Sequence, residues 1–442
     1  MMARIATAAA AVVLAAWFAY SAVDAFPRQL GIDFYQFWGV PLARDAASLE
    51  RTPYVDAPMY ALVLNTMADS SPNAKFREAN RLRRTLEPMG TPFLYAAFSV
   101  FPGAYERAQV LFTMLLYAAA GVAVFALSRL RGLGGGAAVC VAFLVMLTFN
   151  PFAQDVRSGN VNSLQLAYLV ALVAISSRRA FTGWAWLDGL YVGSLALFVL
   201  FKPNTPWIAL ALALHYLALR GVRAFAIGAV WAVILAGVAI AVGAWQFGSS
   251  HAWAEWFQLA RGMDGSALLF TLDRGNLSFA MALSRVSPAL GAVGWGLAMA
   301  GVLAVGLALA LSPRDASTRG VLDAGQRAFA DPWFAVTVGV AFTFATSPLV
   351  WPHYYVLALV PIAWLVAPER RCVACVAGAI ACYVVLSRAV IDPLVAREAY
   401  GVLQAFSVAA WLALLPGMFM FARAAARGEN TPPAPAAATT GT

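Results

Sequence analysis

Long apolar runs separated by short arginine-bearing segments make up most of the chain. The first covers residues 5–23, which carry no charge and follow Arg4. A mostly polar stretch then extends to about residue 106. Beyond it, apolar runs recur near 107–128, 136–152, 160–176, 184–201, 204–219, 222–246, 288–311, 331–348, 353–367, 371–389 and 400–422. A helix needs about 20 such residues to cross the hydrocarbon of a bilayer. The pattern therefore predicts an all-α polytopic membrane protein with about 12 transmembrane helices, some short enough to be re-entrant. The runs are continuous rather than alternating, which excludes a transmembrane β-barrel.

Composition agrees. The 442 residues would allow two or three soluble domains, but 62% are hydrophobic and 12% charged, with a mean hydropathy of +0.73. Collagen, coiled coil, disordered chain and soluble enzyme are excluded together. Residues 1–428 read as a single membrane domain, and 429–442, built of Thr, Pro and Ala, as a disordered tail. The first run reads as an uncleaved anchor. A cleaved signal peptide is the competing reading, since Ser21-Ala22-Val23 loosely resembles a cleavage site, but an h-region is usually shorter.

In a soluble protein a net charge of +9 would suggest nucleic acid; here its distribution reads as topology, and no nucleic-acid partner is expected. Arg129, Arg131, Arg178, Arg179, Arg220, Arg223, Arg314, Arg319, Arg327, Arg370 and Arg371 fall in one set of alternate loops, with Arg423 and Arg427 in the tail. The opposite short loops carry only Arg157, Lys202, Arg388 and Arg397. The positive-inside rule then places both termini in the cytoplasm and two long loops, about 25–106 and 247–287, outside. Within the first loop, 73–87 looks helical, and Thr91–Phe101, too short to span, is expected to lie at the interface.

Four cysteines lie in apolar runs, and the Cys372-x-x-Cys375 pair has no second Cys/His pair to complete a metal site. Small core residues on a helix explain it, and no metal is expected.

Polar residues near a bilayer are costly, so their positions carry information. Five clusters face outward on this topology. They are Asp33 within 31–38, the run Asp155 to Ser163, Lys202-Pro203-Asn204, Asp273 to Ser278, and Ser347 to Tyr355. Nothing comparable occurs on the cytoplasmic side. Five segments delivering carboxylate, amide, cation and imidazole to one face predict one composite site.

Each residue also has a structural explanation. Asp33 is either a helix cap or a general base. Lys202, which with Lys75 makes up the chain's lysines, either snorkels or binds an anion. His353 is either structural or in contact with a phosphate or reacting group. Asn160 and Asn162 either cap a helix or touch ligand. Asn276-Leu277-Ser278 matches a glycosylation sequon, a pattern common by chance. His215 and His251 read as structural. There is no Asp-x-Asp, Walker sequence, Gly-x-Gly-x-x-Gly, His-Glu-x-x-His or Gly-x-Ser-x-Gly, which leaves ATP-driven transport and zinc or serine hydrolysis without support.

In this order the clusters resemble glycosyltransferase family 87, also called the domain of unknown function 2029. Asp33-Phe34 resembles its Asp-Phe in the first outer loop, Gly159-Asn160-Val161-Asn162 its Gly-Gln-x-Asn, and Lys202-Pro203 its Lys-Pro. Asn276-Leu277-Ser278 is similar to its Asn-Gln-Ser. The most specific match is Ser347-Pro348-Leu349-Val350-Trp351-Pro352-His353-Tyr354, which resembles Ser-Pro-x-x-Trp-x-His-Tyr. The likeness runs from about residue 30 to 370, and Asn160 and Leu277 stand where the family usually has Gln. It implies a GT-C architecture and a polyprenyl-phosphate sugar donor, with mannose the family's best-known sugar.

A sugar on a lipid monophosphate already carries a leaving group, so no metal or other cofactor is obligatory. On this reading Asp33 is the base of an inverting transfer to a lipid or glycan acceptor. Lys202 and His353 bind the donor phosphate, and Asn160, Asn162, Asn276, Trp351 and Tyr354 contact sugar or acceptor. Retention would need a second carboxylate, for which Asp155 is the nearby candidate. Residues 91–106 could cradle the lipid chain or simply pack at the interface. Lack of a eukaryotic retention signal and a high Ala/Arg content point to a bacterial inner membrane, with the site on its outer side. A lipid-linked-sugar flippase or transporter is the alternative, and a catalytically idle scaffold a third reading.

Overall fold

The computed structural model describes residues 2–26, 29–101, 103–177, 181, 184–262, 275–285, 292–312, 318–366 and 373–428. The expected disordered tail 429–442 lies outside them, as do Asp273, Arg274, Cys372 and, among the loop arginines, Arg178, Arg179, Arg314, Arg370 and Arg371.

The described residues are mostly helical, with no strand among them. In chain order the helices are α1 (Met2–Ala25), α2 (Ile32–Ala47), α3 (Ala57–Asp69), α4 (Ala74–Leu82), α5 (Pro92–Phe98), α6 (Tyr105–Leu130), α7 (Gly135–Thr148) and α8 (Asn150–Ser158). Then come α9 (Asn162–Ser177), α10 (Ala185–Phe201), α11 (Pro206–Phe247), α12 (Ala252–Gly262), α13 (Phe279–Ser284) and α14 (Ala292–Leu311). After α15 (Thr318–Phe329) and α16 (Pro332–Thr346), a 3₁₀ segment Pro352–Ala358 leads into α17 (Leu359–Leu365). The chain ends in α18 (Val373–Val385), α19 (Arg388–Ala396), α20 (Tyr400–Leu412) and α21 (Leu415–Ala426).

Every apolar run read from the sequence contains a helix. Among the described residues, four stretches are long and apolar enough to cross a membrane: Ile5–Ala25, Tyr105–Leu130, Pro206–Phe247 and Tyr400–Ala426. A bent pair, Leu322–Phe329 with Pro332–Thr346 at 98°, adds a fifth, and six shorter apolar helices accompany them. This is a helical membrane protein. Within α11 the backbone breaks at Gly221 (φ 75°, ψ 175°), where the sequence pattern divides two runs. Glycine tolerates that conformation because it has no Cβ to clash.

The stretch 25–106 is not a polar loop. Side-chain caps start three helices in it: Asp56 accepts from Met59 N, Asn73 from Phe76 N and Thr91 from Leu94 N. Each cap satisfies an amide that the first helical turn leaves unpaired. The apolar faces of these helices then meet in an aromatic core. Phe34 stacks on Phe112 at 5.0 Å, Trp38 meets Tyr105 edge-on at 5.2 Å, and Phe98 packs on Phe112 at 5.1 Å. The segment expected at the interface is thus largely buried: α5 sets Leu94, Tyr95 and Phe98 against α2 and α11. Burying those side chains removes apolar surface from water and so favours this packing. The core fixes the first turn of α2, and that turn carries Asp33.

Candidate active site

Two glycines in left-handed conformation bring the site together. Gly31 (φ 62°) precedes α2 and Gly159 (φ 69°) ends α8. Gly31 N donates to Arg157 O at 3.2 Å. A Cβ on Gly159 would lie 2.6 Å from Phe34 Cβ and 3.2 Å from Gly31 Cα, so no larger residue allows this approach. Asp33 therefore meets Asn160 across a contact of backbone on backbone.

A chain of alternating charges follows. Asn160 Nδ2 donates to Asp33 Oδ2 at 2.8 Å, and Asn160 Oδ1 accepts from Lys202 Nζ at 2.6 Å. Lys202 Nζ also donates to Asn162 Oδ1 at 2.9 Å, and Asn162 Nδ2 donates to Asp155 Oδ1 at 2.8 Å. On the other side of Asp33, Arg83 donates to Oδ1 at 3.3 Å and to Glu87 Oε2 at 3.5 Å. The order Asp155, Lys202, Asp33, Arg83, Glu87 runs from a fully buried carboxylate to one whose side chain is 42% exposed.

Lys202 sits in the turn between α10 and α11 and is 8% exposed. Burial pushes its ammonium down to about 8, while Asp155 and Asp33 partly offset that push. Its Nζ also lies 4.5 Å from the Tyr354 ring centroid, a cation–π contact. Asp155 accepts from both Ser163 N (2.8 Å) and Ser163 Oγ (2.6 Å), besides both nitrogens of Asn162. Four donors leave that carboxylate saturated.

One side of this chain of charges walls a cavity of about 530 Å³. Asp33, Asn160, Lys202, Trp351, His353 and Tyr354 all line it. His353 is buried and its Nε2 has no hydrogen-bond partner among the described residues. A buried imidazole nitrogen left unpaired beside a cavity is a place for a ligand atom. Leu30, Phe37, Leu94, Leu349, Ile391 and Leu403 supply an apolar part of the same wall.

Two expected ligand contacts sit elsewhere. Asn162 stands behind Lys202 and does not line the cavity. Asn276 is fully buried and joins two segments: its Oδ1 accepts from Ser278 N (3.0 Å) and Val350 N (3.1 Å), and its Nδ2 donates to Pro348 O (3.0 Å). Burial also closes the sequon at Asn276. Asp155, named as a possible second carboxylate, does not line the cavity either.

Three charged residues that do line it carried no ligand role in the sequence reading: Arg83, Glu87 and Arg157. The helical look of 73–87 was the available signal for the first two. Arg157 reads as a loop charge, yet it lies in the last turn of α8, two residues before Gly159. Among the described residues no group of three or more His, Cys, Asp or Glu forms a metal site.

Comparison of the chain with protein-family models, with curated proteins and with solved structures returns no match.

Proposed function

We propose that this protein is a membrane glycosyltransferase of GT-C type. It moves a sugar, mannose in the leading case, from a polyprenyl phosphate to a lipid or glycan acceptor. In this reading about 12 spans place the cavity on the outer side of a bacterial inner membrane. One observation carries it: a single amide, Asn160, spans a carboxylate and a buried ammonium in the wall of a cavity with an apolar side.

Each part has a task. Each oxygen of Asp33 has one hydrogen-bond partner in the chain described above, so each keeps a lone pair free for an acceptor hydroxyl. As that oxygen attacks the anomeric carbon, its proton passes to Asp33 and the bond from carbon to phosphate oxygen breaks. The electron pair leaves with the phosphate, whose added charge faces Lys202, His353 and Arg157. Such stabilisation matters most where water is excluded, as it is around a lysine 8% exposed. The saturated state of Asp155 removes the nearest candidate for a retaining nucleophile and supports inversion.

The test is transfer by the purified, lipid-reconstituted protein from radiolabelled polyprenyl-phosphate mannose to a lipid extract, beside Asp33→Asn. Product from the wild type alone establishes a transferase with Asp33 as its base. Donor bound by both proteins with product from neither, in any extract, favours a flippase or scaffold. Equal product from both keeps the enzyme and removes Asp33 from its chemistry.

A further inference from the structure

We infer that Arg83 is a positioning residue for Asp33, braced in turn by Gln36 and Glu87; this rests on the transferase reading above. An arginine at the end of a short outer helix usually forms a solvated ion pair with an acid four residues on, of little energetic value. Arg83 and Glu87 have that spacing, and their contact of 3.5 Å alone would mean no more. The rest of the guanidinium argues otherwise. Its second terminal nitrogen reaches Asp33 Oδ1 at 3.3 Å, 50 residues away in sequence. With the Gln36 amide oriented to match its neighbours, Nε donates to Gln36 at 3.1 Å, and Gln36 donates to Glu87 O at 2.6 Å. Asp33, Gln36, Arg83 and Glu87 all line the cavity. A planar fork with fixed donor directions therefore ends on three residues of one wall, and lysine cannot reproduce that geometry.

The consequence concerns orientation. Asn160 holds one oxygen of Asp33 and Arg83 holds the other, so together they fix the plane of the carboxylate. Without Arg83 one oxygen is unheld, and the carboxylate turns about its last bond. Misplacing a reacting group by about 1 Å costs on the order of 10²-fold in rate. The donor phosphate contacts lie on the Lys202 side of Asp33 and stay intact. Arg83 therefore acts on turnover rather than on donor binding.

The experiment measures transfer by wild type, Asp33→Asn, Arg83→Ala and Arg83→Lys, each with and without free guanidinium. The expected result is a kcat of Arg83→Ala lower by about 10²-fold, donor KM unchanged, and partial recovery of kcat in guanidinium. Arg83→Lys, which keeps the charge and bulk, folds and falls between the two. Loss of kcat with a matching rise in donor KM and no recovery in guanidinium would mean a structural role only and overturn the inference. So would wild-type kinetics in Arg83→Ala. Those outcomes leave the transferase standing, because wild type is active and Asp33→Asn is not. An inactive wild type instead removes the transferase reading and this inference with it.

Discussion

Asn160 and Asn276 sit in two polar regions that look alike in sequence and behave differently in the fold. Both asparagines are at most 6% exposed. Asn160 bonds to charged side chains on both sides, and the cavity lies beside it. Asn276 bonds only to backbone, tying the segment before α13 to the segment after α16, and Gln404 donates to its own carbonyl at 2.9 Å. The first region holds groups with capacity left over for a ligand. In the second, the asparagine side chain bonds to backbone alone and does not line the cavity. A polar residue kept at a membrane protein's edge can therefore touch the ligand or shape the wall that does, and only the bonding separates the two.

The sharpest way to break this contrast is to remove a charge from the first region. Lys202→Met keeps the length of the side chain and takes away the ammonium between Asp33 and Asp155. Removing one group that stabilises developing negative charge typically lowers kcat by about 10²–10³-fold. The measurement is steady-state transfer with the wild-type protein alongside. A Lys202→Met variant within twofold of wild type would show that the buried cation has no part in the proposed reaction.

Next in size is the exchange of the two asparagines for alanine. Asn276→Ala leaves two backbone N–H groups and one carbonyl without partners, at about 1–3 kcal/mol for each buried unsatisfied group. Thermal unfolding in detergent should show a clear loss of stability, while transfer per folded molecule changes little. Asn160→Ala leaves the Val161 N–H without its partner but lets Asp33 and Lys202 turn to the cavity, so it should cost less stability than Asn276→Ala and far more activity. The contrast fails if both variants lose stability and activity in equal proportion.

A smaller effect is expected at a place where the two regions touch. Gly275 precedes Asn276 and lies against Trp351, which lines the cavity; a Cβ there would come within 2.0 Å of Trp351 Cζ3. Gly275→Ala must therefore move the indole, and overpacking of this kind costs about 1–3 kcal/mol. Quenching of tryptophan fluorescence by a donor analogue would report the shift. Unchanged quenching would mean that Trp351 does not meet the donor.

Much of this was legible before folding. The helical membrane class followed from the apolar runs, and six of the eight named site residues line one cavity: Asp33, Asn160, Lys202, Trp351, His353 and Tyr354. What the pattern could not show was which amide faces inward, since that depends on partners 74 residues away for Asn276 and 127 for Asn160. Arg83 was hidden for a related reason. In sequence it belongs to a run of arginines on a short helix, and only the contact of α2 with α4 turns it towards Asp33. The burial of the aromatic face of 91–98 was not legible because its partner faces, on α2 and α11, are far away in the chain.

The finest test uses pH to titrate the first region without changing its shape. Lys202 is held at about 8, with burial as the larger cause and the charges of Asp155 and Asp33 acting against it. Below that value the ammonium is charged and can meet the phosphate of the proposed donor; above it, the charge is lost. The sign is therefore a fall in kcat/KM as pH rises through about 8, by roughly tenfold per further unit if the ammonium is required. Lys202→Arg keeps a cation that does not titrate in this range, so its activity, lower from imperfect fit, should hold on the alkaline side. Asp155→Asn works in the opposite direction. It removes a carboxylate that helps keep Lys202 charged, and should move the alkaline fall to lower pH. Asn276→Ala, in the second region, should leave the profile where it was. An alkaline fall that stays unchanged in Lys202→Arg would belong to another group and would detach the buried lysine from the chemistry.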